Sequence, residues 1–76
     1  MIDIKGFCID KVDLGIRIRE LREEAGLRQQ DLGKLIGVPG RAIGFWETGL
    51  RRPNLDTICR LALCLDVRTD FLLLGA

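Results

Sequence analysis

Leu14, Ile18, Leu21 and Ala25 recur at spacings of three and four residues, the repeat of a helix with one apolar face. Asp10 or Asp13 can cap that helix, Gly26 stops it, and Leu27 stands where a terminating turn places an apolar contact. A second helix is predicted over about Gln29–Ile36, turning Leu32, Leu35 and Ile36 inward. The small residue Gly33 lets it cross its neighbour closely. A third helix is predicted over Gly40–Thr48, with Ile43 and Trp46 inward and Gly49 as its end. Asn54 caps a fourth, in which Leu55, Ile58, Leu61, Ala62 and Leu65 keep helical periodicity. Thr69 caps a short fifth helix, Asp70–Leu74, closed by Gly75. Five helices with short connections make an all-α domain. Residues 1–12 read apart from this body of residues 13–76. Ile2, Ile4, Phe7 and Ile9 interleave with Asp3, Lys5 and Asp10, as in a short strand or an apolar extension packed on the helices.

A length of 76 residues corresponds to one domain with a modest core. No apolar run is long enough to span a membrane, and the N-terminus lacks a basic region followed by an apolar stretch. The expectation is a soluble cytoplasmic protein. Cys8, Cys59 and Cys64 form no C-x-x-C pair and the chain has no histidine, so no metal site and no cofactor is implied. The odd cysteine count argues against a disulfide framework, and the three are expected as small buried hydrophobes. Without a histidine, a nucleophile–base pair or a glycine-rich phosphate loop after a strand, the chain does not read as an enzyme.

The net charge of +1 is unevenly spread. Residues 27–53 hold Arg28, Lys34, Arg41, Arg51 and Arg52 against only Asp31 and Glu47, while the remainder holds 7 cations and 9 anions. Local excess, rather than the total, makes a phosphate footprint. This same stretch, LRQQDLGKLIGVPGRAIGFWETGLRRP, carries two short helical patterns joined at Gly37. The spacing suits a helix-turn-helix, which lays its second helix in the major groove of DNA.

The stretch resembles the Cro-like (XRE) family of phage and bacterial repressors through Leu27, Gln29, Leu32, Gly37, Val38, Ile43, Trp46, Glu47, Gly49 and Pro53. The resemblance runs from about Leu14 to Gly75 and implies a five-helix, Cro/phage-repressor-like DNA-binding domain. It also implies a transcriptional regulator, a repressor, that binds double-stranded DNA as a homodimer. In that family an arginine late in helix one pairs with the glutamate after the recognition helix; Arg22 and Glu47 occupy these places. Gln29 matches a glutamine that meets the DNA backbone at a helix N-terminus, where free N–H groups favour a phosphate. Arg28 adds charge there. Arg51, Arg52 and Thr48 fall where the family contacts phosphates.

The positions that commonly read bases map onto Gly40, Arg41, Gly44 and Phe45. Arg41 alone can donate to a base edge; Phe45 can press on a thymine methyl group or join an apolar protein-binding surface with Leu50. Gly40 and Gly44 either permit close approach of the backbone to DNA or mark a loss of base reading. The alternative function is therefore a protein-interaction module on the same fold. Finally, a helix cannot bury all four of Phe71, Leu72, Leu73 and Leu74 in one core. Phe71 and Leu73 match apolar positions of the family, so Leu72 and Leu74 are the expected dimer contacts.

Overall fold

The computed structural model describes residues 3–76. Five helices follow one another: α1 (Lys11–Glu24), α2 (Gln29–Ile36), α3 (Gly40–Glu47), α4 (Leu55–Cys64) and α5 (Thr69–Leu74). Of the two candidate caps for α1, Asp10 is used; its Oδ1 accepts from the Val12 N–H at 2.8 Å and the Asp13 N–H at 3.4 Å. Asn54 caps α4, its Oδ1 accepting from the Thr57 N–H at 2.9 Å and the Thr57 hydroxyl at 2.8 Å. The bend between α2 and α3 is made at Gly37, whose φ of 83° is left-handed. There the Gly37 and Val38 N–H groups both donate to the Gly33 carbonyl, at 2.8 and 2.9 Å.

The core is one cluster: Leu14 and Ile18 from α1, Leu32 and Ile36 from α2, Ile43 and Trp46 from α3, Ile58, Leu61 and Ala62 from α4, and Leu72 from α5. Each fully buried Leu or Ile contributes roughly 1.5–3 kcal/mol. Around this core three glycines bring backbones together. A Cβ at Gly15 would collide with the Trp46 carbonyl oxygen, so α1 touches the end of α3. One at Gly33 would stand 2.5 Å from the Val38 oxygen, and one at Gly40 would stand 3.0 Å from the Gln30 Cα. Together they fix the angle at which α3 leaves α1 and α2.

Several expectations are corrected. Of the two readings of the N-terminal segment the extension holds and the strand does not: residues 3–10 are extended with a turn at Lys5–Gly6, and no strand occurs among the described residues, which offer no second strand to pair with. Ile9 packs on the core, whereas Ile4 and Phe7 are exposed; Ile2 lies outside the described residues. Leu35 faces out because its neighbour Ile36 takes the inward direction, and Leu55 faces out at the first residue of α4. Ala25 is exposed at the C-cap of α1. All three cysteines are exposed, since Cys59 and Cys64 lie outside the arc defined by Ile58, Leu61 and Ala62, and Cys8 lies in the extension. Thr69 is the first residue of α5 and Arg68 its N-cap, with no side-chain cap. Leu72 is 0% exposed and belongs to the core; Phe71 and Leu74 are the outward members, at 39% and 53%. The side chain of Arg17 imposes this register. It reaches from α1 to the end of α5, its Nε donating to the Leu72 carbonyl at 2.7 Å and its Nη2 to the Leu73 carbonyl at 2.8 Å.

Candidate nucleic-acid interface

Arg22 and Glu47 meet where α1, α2 and the end of α3 converge. Arg22 Nε donates to Glu47 Oε2 at 2.6 Å and Nη2 donates to Oε1 at 3.0 Å. The side chains are only 12% and 4% exposed. Arg22 Nη1 donates further to the Leu27 carbonyl at 2.7 Å, tying the turn before α2 to the same point. The hydrogen bond to Glu47 holds the Arg22 guanidinium above its ordinary pKa, against the opposing effect of burial. A third donor completes the cluster: Gln29 Nε2 reaches Glu47 Oε1 at 3.1 Å. Glu47, one of the two acidic residues in this basic stretch, is thus enclosed by donors.

Arg28 is an exposed side chain paired with Asp31, Nε to Oδ2 and Nη2 to Oδ1, each at 3.0 Å. The Asp31 carboxylate also accepts the Arg28 backbone N–H at 3.0 Å, closing the first turn of α2. The guanidinium of Arg28 lowers the Asp31 pKa to about 2. An open depression of about 670 Å³ lies beside this turn, lined by Arg22, Arg28, Gln29, Gln30, Gly40 and Arg41. Arg41 is exposed on its α3 side.

The remaining candidates lie along α3 and beyond it. Phe45 is half-buried and the Arg51 guanidinium lies over its ring, 5.1 Å from the centroid. Such stacking holds both side chains while leaving the guanidinium edge open to an anion. Arg52 is exposed, and neither it nor Arg41 nor Arg51 forms an ion pair with the described residues. Thr48 is used differently. Its hydroxyl donates to the Gly44 and Phe45 carbonyls at 3.1 and 3.2 Å, and its N–H donates to the Gly44 carbonyl. The N–H groups of Gly49, Leu50 and Arg51 are also spent on α3 carbonyls. In this unbound arrangement Thr48 rests on the carbonyls of α3. Gly40 is corrected: it faces the α2 backbone and is a packing residue. Gly44 faces the Gln29 amide, and a Cβ there would stand 3.4 Å from Gln29 Oε1.

Sequence reasoning overlooked Gly15, Arg17 and Asp31. A glycine inside a helix, costing roughly 1 kcal/mol relative to alanine, signals a close approach. A carboxylate three residues after a helix N-cap signals a capping interaction. No local pattern connects Arg17 to carbonyls at positions 72 and 73.

An α2–turn–α3 unit, pinned to α1 and carrying Arg41, Arg51 and Arg52 without ion pairs among the described residues, defines a helix-turn-helix domain. Residues 18–72 match the family profile described as helix-turn-helix. The repressor protein C2 of Salmonella phage P22 is 39% identical over 62 residues, which are 82% of this chain and 29% of that protein. The chain covers 56% of YonR, an SPbeta prophage-derived HTH-type transcriptional regulator of Bacillus subtilis that is 36% identical over 61 residues, or 80% of this chain. Among solved structures, the P22 c2 repressor in complex with a synthetic operator superposes with a TM-score of 0.80 at 38% identity, covering 83% of this chain and 96% of that one. The restriction-modification controller protein C.AhdI of Aeromonas hydrophila gives 0.78 at 40% identity, with the same coverages of 83% and 96%. The chain belongs to the Cro-like helix-turn-helix family.

Proposed function

We propose that this protein is a DNA-binding transcriptional regulator, a repressor rather than an enzyme, that lays α3 in the major groove. The observation that carries the reading is that Arg41 on α3 and Arg51 and Arg52 in the loop after it are exposed without anionic partners among the described residues, while Glu47 is neutralised from within. Arg41 is the direct reader, suited to a bidentate contact with guanine, with Phe45 beside it for a thymine methyl group. Arg51, Arg52 and Arg28 supply phosphate contacts, joined by the backbone N–H of Gln29 at the start of α2. The relative of phage P22 was solved on an operator, which supports the assignment by analogy. The protein acts in the cytoplasm as a homodimer. Phe71 and Leu74, exposed side by side on α5, are the natural contacts, and half-sites lie about one helical turn (~34 Å) apart.

The exposed Leu50 next to Phe45 favours the second reading, a protein-interaction module. Selection of bound duplexes from a random pool, followed by a salt titration of the winners, separates the two. DNA binding weakens steeply with salt as phosphate counterions are released. Apolar association does not, and the selection would then yield no site.

A further inference from the structure

We infer that the N-terminal extension is part of the homodimer contact, and that Phe7 packs against α5 of a second copy of this chain. The inference rests on the homodimer reading above. It adds to Phe71 and Leu74 a segment that lies before residues 18–72 of the family match. The extension is fastened at both ends. Ile9 packs on the core, and Asp10 caps α1 immediately after it. Further out, the Phe7 N–H donates to the Ile4 carbonyl at 3.0 Å and the Lys5 N–H to Asp3 Oδ1 at 3.0 Å, closing a turn. Ordering these residues costs conformational entropy, and within one copy their apolar side chains recover little of it: Ile4 stays 70% exposed and Phe7 61%.

Phe7 and α5 belong to one surface. A cleft of about 160 Å³ is lined by Phe7 and Ile9 of the extension, Asp13 and Arg17 of α1, and Leu73 and Leu74 of α5. Arg17 is fixed there by the Leu72 and Leu73 carbonyls. Leu74, an outward member of α5, therefore shares a cleft with Phe7, and the apolar surface runs on from α5 into the extension. Size favours a joint contact. Even a fully covered phenylalanine buries only about 150–250 Å². The two partly exposed side chains of a six-residue helix thus fill a minor part of the roughly 800 Å² per partner of a standard interface. Phe7 and Ile4 are the adjoining apolar area. A second copy is the occupant that matches, because a two-fold axis brings the same cleft and the same Phe7 from each side and makes every contact twice.

The test uses the full chain. In sedimentation equilibrium, Phe7→Ser should dimerise roughly 5- to 30-fold more weakly, the loss expected of an aromatic anchor, while Phe7→Leu retains most of the affinity. At concentrations where both are monomeric, Phe7→Ser should keep the far-UV dichroism and thermal midpoint of the unmodified protein, since Phe7 lies outside the core. Cys8, exposed beside Phe7 on the same cleft, is a built-in reporter. In a Cys59→Ser, Cys64→Ser background its thiol should react more slowly with an aromatic disulfide reagent as protein concentration rises through the dimer dissociation constant. An unchanged dissociation constant in Phe7→Ser would overturn the inference and leave the α5 contact standing. So would a Cys8 rate independent of concentration while the dimer forms. A monomeric unmodified protein would remove the homodimer reading and this one with it.

Discussion

Replacing Glu47 with alanine removes three acceptor contacts at once: those to Arg22 Nε, Arg22 Nη2 and Gln29 Nε2. Arg22 keeps only the Leu27 carbonyl as a partner in a place where its side chain is 12% exposed. Breaking a buried pair by deleting one member costs about 3–5 kcal/mol, because the remaining charge stays desolvated. The residual exposure of Arg22 and its surviving bond put the loss near 3 kcal/mol. A chain of 76 residues has about 4–11 kcal/mol of total stability, so the variant should fold marginally. With a shift of roughly 4–8 °C per kcal/mol, its thermal midpoint should fall by about 12–24 °C. Far-UV circular dichroism during urea and thermal unfolding measures this; the signal of buried Trp46 serves as a second probe of cooperativity. Arg22→Met combined with Glu47→Leu removes both charges and should recover part of the loss, since apolar replacement of a buried pair is tolerated better than its halving. A Glu47→Ala midpoint equal to that of the unmodified protein would show that the pair does not pin α3 to α1.

Four further outcomes follow from the geometry. Gly40→Ala should destabilise by more than the helix propensity gained, because its Cβ would meet the α2 backbone, whereas Gly44→Ala, facing a flexible side chain, should be neutral or stabilising by up to about 1 kcal/mol; chemical denaturation of the pair decides. Arg52→Ala should weaken binding to all duplexes and flatten the salt slope by roughly one unit, while Arg41→Ala should cost about 1–3 kcal/mol at one base pair and little on random DNA; competition binding distinguishes them. The Asp31 carboxylate titrates at about 2 in the folded chain, below its ordinary 3.8, so its contribution is present above about pH 4 and fades as pH falls through 2; an NMR titration of the carboxyl shows this, and Asp31→Asn should remove the dependence. Sedimentation at high micromolar concentration should detect a dimer that Leu74→Ser dissociates, whereas Leu72→Ser should unfold the domain; a monomeric unmodified protein would defeat the α5 interface.

Legibility differed by element. All five helices were readable, and their ends lie within a residue of expectation, because capping and stopping residues are local: Asp10, Gly26, Gly37, Asn54 and Gly75 act within one turn of where they stand. Inward faces were readable where a helix presents one apolar arc, as with Leu14 and Ile18. They were misread where apolar residues are adjacent, since periodicity does not choose between Leu35 and Ile36, or among Phe71 to Leu74. The candidate interface was legible through the resemblance, but the resemblance transfers positions and not environments. Thr48 matches a phosphate-contacting position while both of its donors rest on carbonyls of α3.

The order of apolar and polar residues, the caps and the turn glycines suffice for five helices, their boundaries and their connection into a helix-turn-helix, since each depends on neighbours a few positions away. Tertiary structure decides what long-range contact controls. Arg17, placed by α1, chooses the register of α5 by bonding carbonyls at 72 and 73. Gly40, beside the α2 backbone, becomes a packing residue. Glu47, between Arg22 and Gln29, holds a glutamine side chain against α3 beside Gly44. Each of these roles depends on the distance and direction between side chains remote in sequence, which only packing defines.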